Sequence, residues 1–409
     1  FFNKPNQIKT SQTYKLLVSI ILLAVMSYQT NFQNTHKSLD ELMTIALENN
    51  AGLNASRLKV SQSELLVKSA FDFDKTEIYY QYDENNLAIN DRPIGVFGIQ
   101  QDFEFPTVYS AKKRVNKALV DLQTTNLSIN EKSIRQNVVS SYHKYLYAKE
   151  KVTIYTQLDS LYFDFARIAK RRFELGETNY LEKITAHSKQ RQVHVNLEQA
   201  QQELKIAFEN LSKVVQYKDS LIIQDATINK VPLNIIDLNT SPEVISFNKQ
   251  QDLLEARLRL EKQKLWPDLS LNYFQGSNST LNQNLYGYQF GLKIPLLFGA
   301  QNSKIKASKM AIDISNEEAQ DYKIQLHTKF ETLQSQLIQN QKALEYYENE
   351  GLILANEILK TANVSFKNGE IDFYQYIISI ENAYDIQLKH LEHLNSYNQT
   401  VINLNYLTL

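Results

Sequence analysis

Two stretches of the chain, 107–231 and 296–409, contain no proline and can therefore form long helices. Within the first, apolar residues recur every seven positions, at Ala148, Tyr155, Tyr162 and Ala169. A companion seam follows at Val152, Ala166 and Phe173, with Asp159 as its polar member. This heptad pattern is typical of coiled coils. A helix from Pro106 to Gly176 would be on the order of 100 Å long, so the pattern predicts a rod and not a globular core.

A pattern with a period of two precedes the prolines at 106 and 295. In the second case Tyr286, Tyr288, Phe290, Leu292 and Ile294 alternate with small or polar residues. Such alternation indicates a strand with one apolar face. The segment 97–105 shows a weaker form of the same pattern, and a partner strand precedes each one at 75–83 and 267–275. We therefore predict two β-hairpins, whose strands of about ten residues fit an outer-membrane barrel better than a soluble core.

The two halves of the chain resemble each other. "RRFELGETNYLEK" (171–183) matches "SFKNGEIDFYQYI" (365–377) at an offset of 193, which pairs Gly176 with Gly369. The strand and helix junctions match at an offset of 189, so the chain is a tandem duplication. The second rod is four residues longer, which a coiled coil can absorb as a stutter. Because glycine accepts the left-handed conformation that ends helices, each rod is expected to turn back there.

These patterns predict a mostly α fold with a small β part. It consists of tandem duplicated long coiled-coil helices and four β-strands. The predicted segments are an export leader (1–33), first short helices (34–74), the first β-hairpin (75–105), the first long helical hairpin (106–215), a linker (216–241), a short helix (242–266), the second β-hairpin (267–295) and the second long helical hairpin (296–409).

The composition excludes several classes of function. Cysteine is absent, so there is no disulfide, thiolate metal site or thiol nucleophile. The net charge of −1, with acids and bases mixed along the chain, gives no indication of nucleic-acid binding or of adhesion through a basic surface. The sequence lacks a nucleophile elbow, a phosphate loop and a paired-carboxylate hydrolase pattern, so we expect no enzymatic activity and no cofactor.

The amino terminus has the pattern of a secretory leader. The run "LLVSIILLAVM" (16–26) follows three lysines and is too short for an ordinary membrane span. A short membrane anchor is the alternative. The first residue, Phe1, is not an initiator methionine, which also leaves open a fusion to an upstream pump.

Two pairs of histidines have spacings that could hold a borderline metal ion. His390 and His393 lie three residues apart, and His187 and His194 lie seven apart. Coiled-coil surfaces also carry histidines that bind no metal. We therefore predict no resident metal site, and any metal selectivity would reside in a partner protein.

Over about 39–409 the chain resembles the TolC family of outer-membrane channels. The similarity is carried by "LDELMTIALENN" (39–50), by "LEARLRLEKQKLWPDLSLNYF" (254–274), by the strand, proline and helix junctions, and by the two glycine tips. "KTEIYYQYDEN", "QQDFEFPTVY" and "GYQFGLKIPLLFGAQ" are most similar to channels that serve heavy-metal cation efflux. The resemblance implies a homotrimer, in which each chain supplies one third of a 12-stranded outer-membrane barrel in contact with lipid and part of a periplasmic tunnel.

The same resemblance implies partners and site residues. A periplasmic adaptor (membrane fusion protein) would couple the channel to a proton-driven inner-membrane pump of the RND type. The adaptor would contact the two tips, which comprise Leu175, Gly176, Glu177 and Thr178 in the first copy and Asn368, Gly369, Glu370 and Ile371 in the second. The gate candidates are Glu182, its counterpart Gln375, and the nearby Asp372. A ring of acids there would attract cations and repel itself when ionised.

Two alternatives remain at this point. The chain could be a periplasmic coiled-coil scaffold whose hairpins cap the bundle without touching lipid. It could also be the same channel fold serving drug, peptide or protein secretion. For Glu182 and Asp372 the alternative to a gate is ordinary helix-surface charge.

Overall fold

A computed structural model describes residues 36–217, 221–224 and 226–408, and the predicted leader (1–33) lies outside them. Long helices alternate with β-hairpins, and each half of the chain contributes one hairpin. The helices are α1 (Leu39–Asn49), α2 (Ala51–Lys68), α3 (Pro106–Glu174), α4 (Tyr180–Val215), α5 (Pro242–Gln263), α6 (Gly299–Tyr346), α7 (Leu352–Lys367) and α8 (Phe373–Asn405), with a 3₁₀ turn at Leu238–Thr240 and a π-helical segment at Tyr347–Gly351.

The four strands form a single antiparallel sheet in the order β1-β2-β3-β4. The strands are β1 (Glu77–Leu87), β2 (Pro93–Phe103), β3 (Asp268–Ser277) and β4 (Leu285–Lys293). The two hairpins of the duplication meet along β2 and β3, where Gly98 lies opposite Phe274. Among the described residues, the outer edges of β1 and β4 pair with no further strand. The sheet therefore ends in two open edges.

One face of the sheet is apolar and exposed, as the alternation predicts. Tyr286, Tyr288, Phe290 and Leu292 on β4 are between 63% and 81% exposed. On the opposite face, aromatic rings lie over glycines of the neighbouring strand. Tyr79 covers Gly98 and Phe274 covers Gly287 so closely that a Cβ added to either glycine would overlap the ring. These ring and glycine pairs are a repeated feature of the two hairpins.

The first rod, α3, is one uninterrupted helix of 69 residues, about 100 Å long. Tyr162, Ala169 and Ala148 of the predicted heptad seam are buried. The companion seam differs from the prediction, because Ile154, Leu158 and Phe165 are the buried positions and Val152, Ala166 and Phe173 are only partly buried. The buried stripe is broader than a two-helix seam because α3 packs against both α4 and α8.

The second rod is divided by the π-helical segment Tyr347–Gly351. Both flanking helices continue in the same direction, and Gly351 is buried close to Tyr347 and Ile386. A π-helix winds more residues into each turn than an α-helix. The prediction that the second rod is four residues longer is wrong, because Pro106–Glu174 and Gly299–Lys367 each span 69 residues. Unlike Pro106, Pro295 does not begin a helix, and the four additional residues lie between β4 and α6.

The linker between the two halves is fixed by two buried asparagines on α8. Asn398 accepts a hydrogen bond from the Val231 amide (2.9 Å) and donates to the Asn229 carbonyl (2.8 Å). One heptad further on, Asn405 makes the same pair of bonds with Asn234 and Pro232. An extended segment without a ladder partner needs such contacts to satisfy its backbone. The linker is thereby held along the middle of the rods.

The described part of the chain, residues 36–217, 221–224 and 226–408, contains no helix that is both long and apolar enough to cross a membrane.

Candidate functional site

The two hairpin tips share one backbone structure, and both contain a left-handed glycine. Gly176 and Gly369 each have φ +75°, which confirms the predicted conformation. The amide of Glu177 donates to the Arg172 carbonyl (2.8 Å) and the amide of Gly176 to the Phe173 carbonyl (3.1 Å). The second tip repeats both bonds at 2.8 and 3.2 Å, from Glu370 and Gly369. This is the Schellman motif, which satisfies the last carbonyls of a helix.

Each tip then starts the returning helix with a polar cap. Asn179 accepts a hydrogen bond from the Glu182 amide at 2.9 Å. Asp372 accepts one from the Gln375 amide at 2.8 Å, and the Gln375 side chain accepts in return from the Asp372 amide, which completes a capping box. Asp372 and Gln375, proposed as gate residues, thus also define where α8 begins.

The two tips differ in side-chain chemistry. Glu182 lies 3.1 Å from the Arg172 guanidinium and also accepts from the Thr178 hydroxyl, and its side chain is only 14% exposed. In the second tip Ser365 takes the place of Arg172 and donates to the Glu370 carboxylate at 2.8 Å. The first tip therefore neutralises its gate candidate internally, whereas Asp372 of the second tip is exposed and has no ion pair among the described residues.

Most of the predicted adaptor contacts are exposed at the ends of the hairpins. Exposed residues are Leu175, Gly176, Glu177, Asn368, Gly369 and Glu370, while Thr178 and Ile371 are partly buried. The structure brings each group of four together in one turn. It does not bring the two groups into contact with each other.

An aromatic cluster that the sequence reasoning did not identify joins the second tip to the first rod. Phe165 of α3 stacks on Phe373 (centroids 4.7 Å apart) and on Tyr376 (5.0 Å), and Phe366 stacks on Tyr376 at 4.6 Å. The only sequence feature that pointed to this cluster was the aromatic residue found at equivalent positions of the two copies, Tyr180 and Phe373. Within this chain the second tip is the one that is packed in this way.

The equivalent surface of the first tip remains exposed. Tyr180, Leu181 and Ile184 are 59%, 71% and 45% exposed. By the offset of 193, Tyr180 corresponds to Phe373, which is packed on the neighbouring hairpin. Tyr180 contacts only Phe173 and Lys183 of its own hairpin, so the first tip presents an apolar surface that packs on no ring of the second hairpin within the described chain.

One ion pair links the returning helices of the two hairpins. The Lys189 ammonium on α4 lies 2.7 Å from the Glu381 carboxylate on α8. Both side chains are partly exposed, so the pair contributes little to stability. It is a direct contact between the first and the second helical hairpin.

Among the described residues, one histidine of each predicted pair contacts a carboxylate. Nδ1 of His194 lies 3.4 Å from the Asp159 carboxylate, and Nε2 of His390 lies 4.0 Å from that of Glu348. Burial lowers the pKa of His390, and His393 stacks on Tyr347. No group of three or more potential ligands that could hold a metal ion is present in the described residues.

Comparison with known proteins identifies the fold. The chain matches a crystal structure of a membrane protein from Pseudomonas aeruginosa with a TM-score of 0.77 and 12% identity, over 91% of this chain and 93% of the other. It matches the transmembrane-channel protein CusC with a TM-score of 0.75 and 14% identity, over 93% and 95%. It matches the CmeC outer membrane channel of Campylobacter jejuni with a TM-score of 0.73 and 14% identity, over 92% and 85%.

The chain has the TolC fold. The predicted fold class is therefore confirmed, and the four-stranded sheet of the TolC fold is one third of a closed barrel. The chain is also 20% identical to the cobalt-zinc-cadmium resistance protein CzcC of Cupriavidus metallidurans over 265 residues. That match spans 63% of this chain and 63% of the relative's length. No family model matches the chain.

Replacing the tip glycines by alanine should destabilise the hairpins through the backbone alone. No atom lies within 4 Å of an added Cβ at Gly176 or Gly369, so the cost comes from the left-handed φ. We expect Gly176→Ala and Gly369→Ala each to lower the free energy of unfolding by about 1–2 kcal/mol, measured by chemical denaturation in detergent. The matched control is Gly299→Ala, which has equal space and no positive φ. Equal effects in all three variants would contradict the assignment.

Proposed function

We propose that the chain is the outer-membrane channel of an efflux pump and that it acts as a homotrimer. The observation that carries this proposal is the sheet with an exposed aromatic face and two open edges. An unpaired strand edge is not tolerated in hydrocarbon, because its backbone groups find no hydrogen-bond partner. Other copies of the chain must therefore close the sheet if that face lies in lipid.

Three copies give a barrel of twelve strands, and two would give eight. The resemblance to TolC-family channels favours three. The exposed apolar surface of the first tip, around Tyr180 and Leu181, fits this arrangement, because the duplication places the equivalent residues of the second tip against a neighbouring hairpin. In a ring, the free surface of one chain meets the next chain in the same way.

The partners follow from the two equivalent tips. Three chains present six similar turns, each with an exposed glutamate (Glu177 or Glu370) after a left-handed glycine. Six such turns could seat a periplasmic adaptor, which would connect the channel to a proton-driven RND pump in the inner membrane. The channel itself would act as a passive exit duct with a long periplasmic extension.

The cargo we propose is a heavy-metal cation. Support comes from the similarity to CzcC, named for resistance to cobalt, zinc and cadmium, and from the resemblance of the strand segments to metal-efflux channels. Drug or protein secretion through the same fold is the second candidate. A periplasmic scaffold without lipid contact is the third.

The oligomeric state and pore activity can be measured together. We expect the detergent-purified protein to have the mass of a trimer by light scattering and to conduct ions in a planar bilayer of neutral phosphatidylcholine. A water-soluble monomer without conductance would instead support the scaffold.

The two tips should contribute unequally to ion selectivity. Glu182 is paired with Arg172 and largely covered, whereas Asp372 is exposed. We therefore expect Asp372→Asn to reduce cation preference more than Glu182→Gln, and Arg172→Gln to increase it by releasing Glu182. Reversal potentials in a potassium chloride gradient measure these changes. Glu357→Gln, an exposed acid further along the rod, is the matched control, and equal shifts in all variants would argue against a gate at the tips.

The cargo can be tested by deleting the gene and restoring it. Deletion should increase sensitivity to cobalt, zinc, cadmium, copper or silver salts, with little change towards dyes and antibiotics. Complementation with the intact chain should restore resistance. The reverse profile would favour drug export.

A further inference from the structure

Lysine and arginine are concentrated where four helices meet the sheet. The stretches 57–68, 106–120, 253–264 and 299–312 together contain 14 lysines and arginines against three glutamates and no aspartate. The whole chain has a net charge of −1, so the remainder is acidic. The net charge of the chain does not reveal this separation of basic from acidic residues, because the four stretches are far apart in sequence and become neighbours only in the fold.

A groove lies in this region between α3 and α5. It has a volume of about 600 Å³. Because α5 ends and α3 begins at the sheet, the upper end of the groove lies directly below the strands. Six of its lining residues carry hydroxyl groups or positive charge: Thr107, Ser110, Arg114, Lys117, Arg259 and Lys262.

The charges in the groove are ordered along its length. The carboxylates that line it are Glu255, which pairs with Arg259 at 3.6 Å, and Asp121 and Asp252, which lie towards the end further from the sheet. Arg114 and Lys117 form no ion pair with any described carboxylate, and neither does Lys262. The groove therefore offers uncompensated positive charge on the side of the sheet.

Exposed apolar side chains lie between the groove and the strands of the sheet. Phe71, Trp266 and Leu297 are 54%, 53% and 90% exposed just beyond the strand ends. The Lys113 ammonium lies 5.8 Å from the centre of the Phe71 ring. Aromatic residues in such belts lie at the level of the lipid headgroups. Arg114 lies eight positions beyond Pro106, a rise of about 12 Å along the helix, so the groove begins at headgroup depth.

We propose that the groove between α3 and α5 binds the phosphate of an anionic phospholipid headgroup in the leaflet that faces the periplasm. Guanidinium and ammonium groups are suited to phosphate, and Thr107 and Ser110 can donate further hydrogen bonds to its oxygens. Clusters of basic residues beside a membrane attract anionic lipids in the same way. This inference rests on the proposed insertion of the sheet in the outer membrane, and it adds an interaction that anchors the rods below the barrel.

The test uses the full-length, detergent-purified protein and two probes, phosphatidylglycerol and phosphatidylcholine. Native mass spectrometry gives an apparent dissociation constant for each lipid. We expect phosphatidylglycerol to bind at least about tenfold more tightly and to lose this advantage as ionic strength rises. The combined variant Arg114→Gln, Lys117→Gln and Lys262→Gln should abolish the preference. The matched control is Arg191→Gln, Lys205→Gln and Lys360→Gln, three exposed cations distant from the sheet, and it should retain the preference.

Three outcomes would overturn the proposal. They are equal binding of the two lipids by the unaltered protein, an equal loss of preference in the control variant, and displacement of phosphatidylglycerol by an equimolar amount of inorganic phosphate, which would indicate a simple anion site. The salt dependence needs no substitution and applies even if the groove variant misfolds. Conductance in neutral phosphatidylcholine reports separately on the channel. A conducting trimer without lipid preference would therefore contradict the lipid site and leave the proposed channel function standing.

Discussion

The open edges of the four-stranded sheet constrain the rest of the molecule. A strand edge exposes unpaired amide and carbonyl groups, which a protein must pair, cover or keep in water. Here β1 and β4 are long, and one face of the sheet exposes aromatic and aliphatic side chains such as Tyr80, Tyr288 and Phe290, so water is a poor environment for that face. A single helix cannot bury its own apolar stripe, and α3 packs against α1, α2, α4, α5 and α8 of the same chain. The same solution, closure by further copies, satisfies the sheet and the rods together.

The tips show how a duplication can keep its backbone and change its chemistry. The glycine and the two hydrogen bonds of the Schellman motif are identical in both copies because the turn depends on φ and on main-chain atoms. Side chains around the turn are free to differ, and they do. Arg172 neutralises Glu182 in one copy, while Ser365 leaves the second copy without that cation. A partner that contacts both tips would meet the same shape with two different charge patterns.

Features set by local pattern could be predicted from the sequence. The proline-free stretches, the period-two strands and the left-handed glycines each depend on a few neighbouring residues. Features set by distant contacts could not. The buried stripe of α3 shifts to Ile154 and Leu158 because α8 packs on it, and the Phe165 cluster joins residues about 200 positions apart. The asparagines that hold the linker, Asn398 and Asn405, look like ordinary helix residues until the linker lies beside them.

Charge is a further property that the linear sequence hides. Acids and bases alternate over most windows, and their near balance suggests a uniform surface. Folding places the basic ends of four helices side by side below the sheet, while acids accumulate elsewhere on the rods. A long molecule with a nearly neutral total can thus be strongly polarised along its axis. For a chain that lies partly in lipid, such polarity favours one depth of insertion, because the cations gain most where anionic headgroups are within a Debye length of about 8 Å.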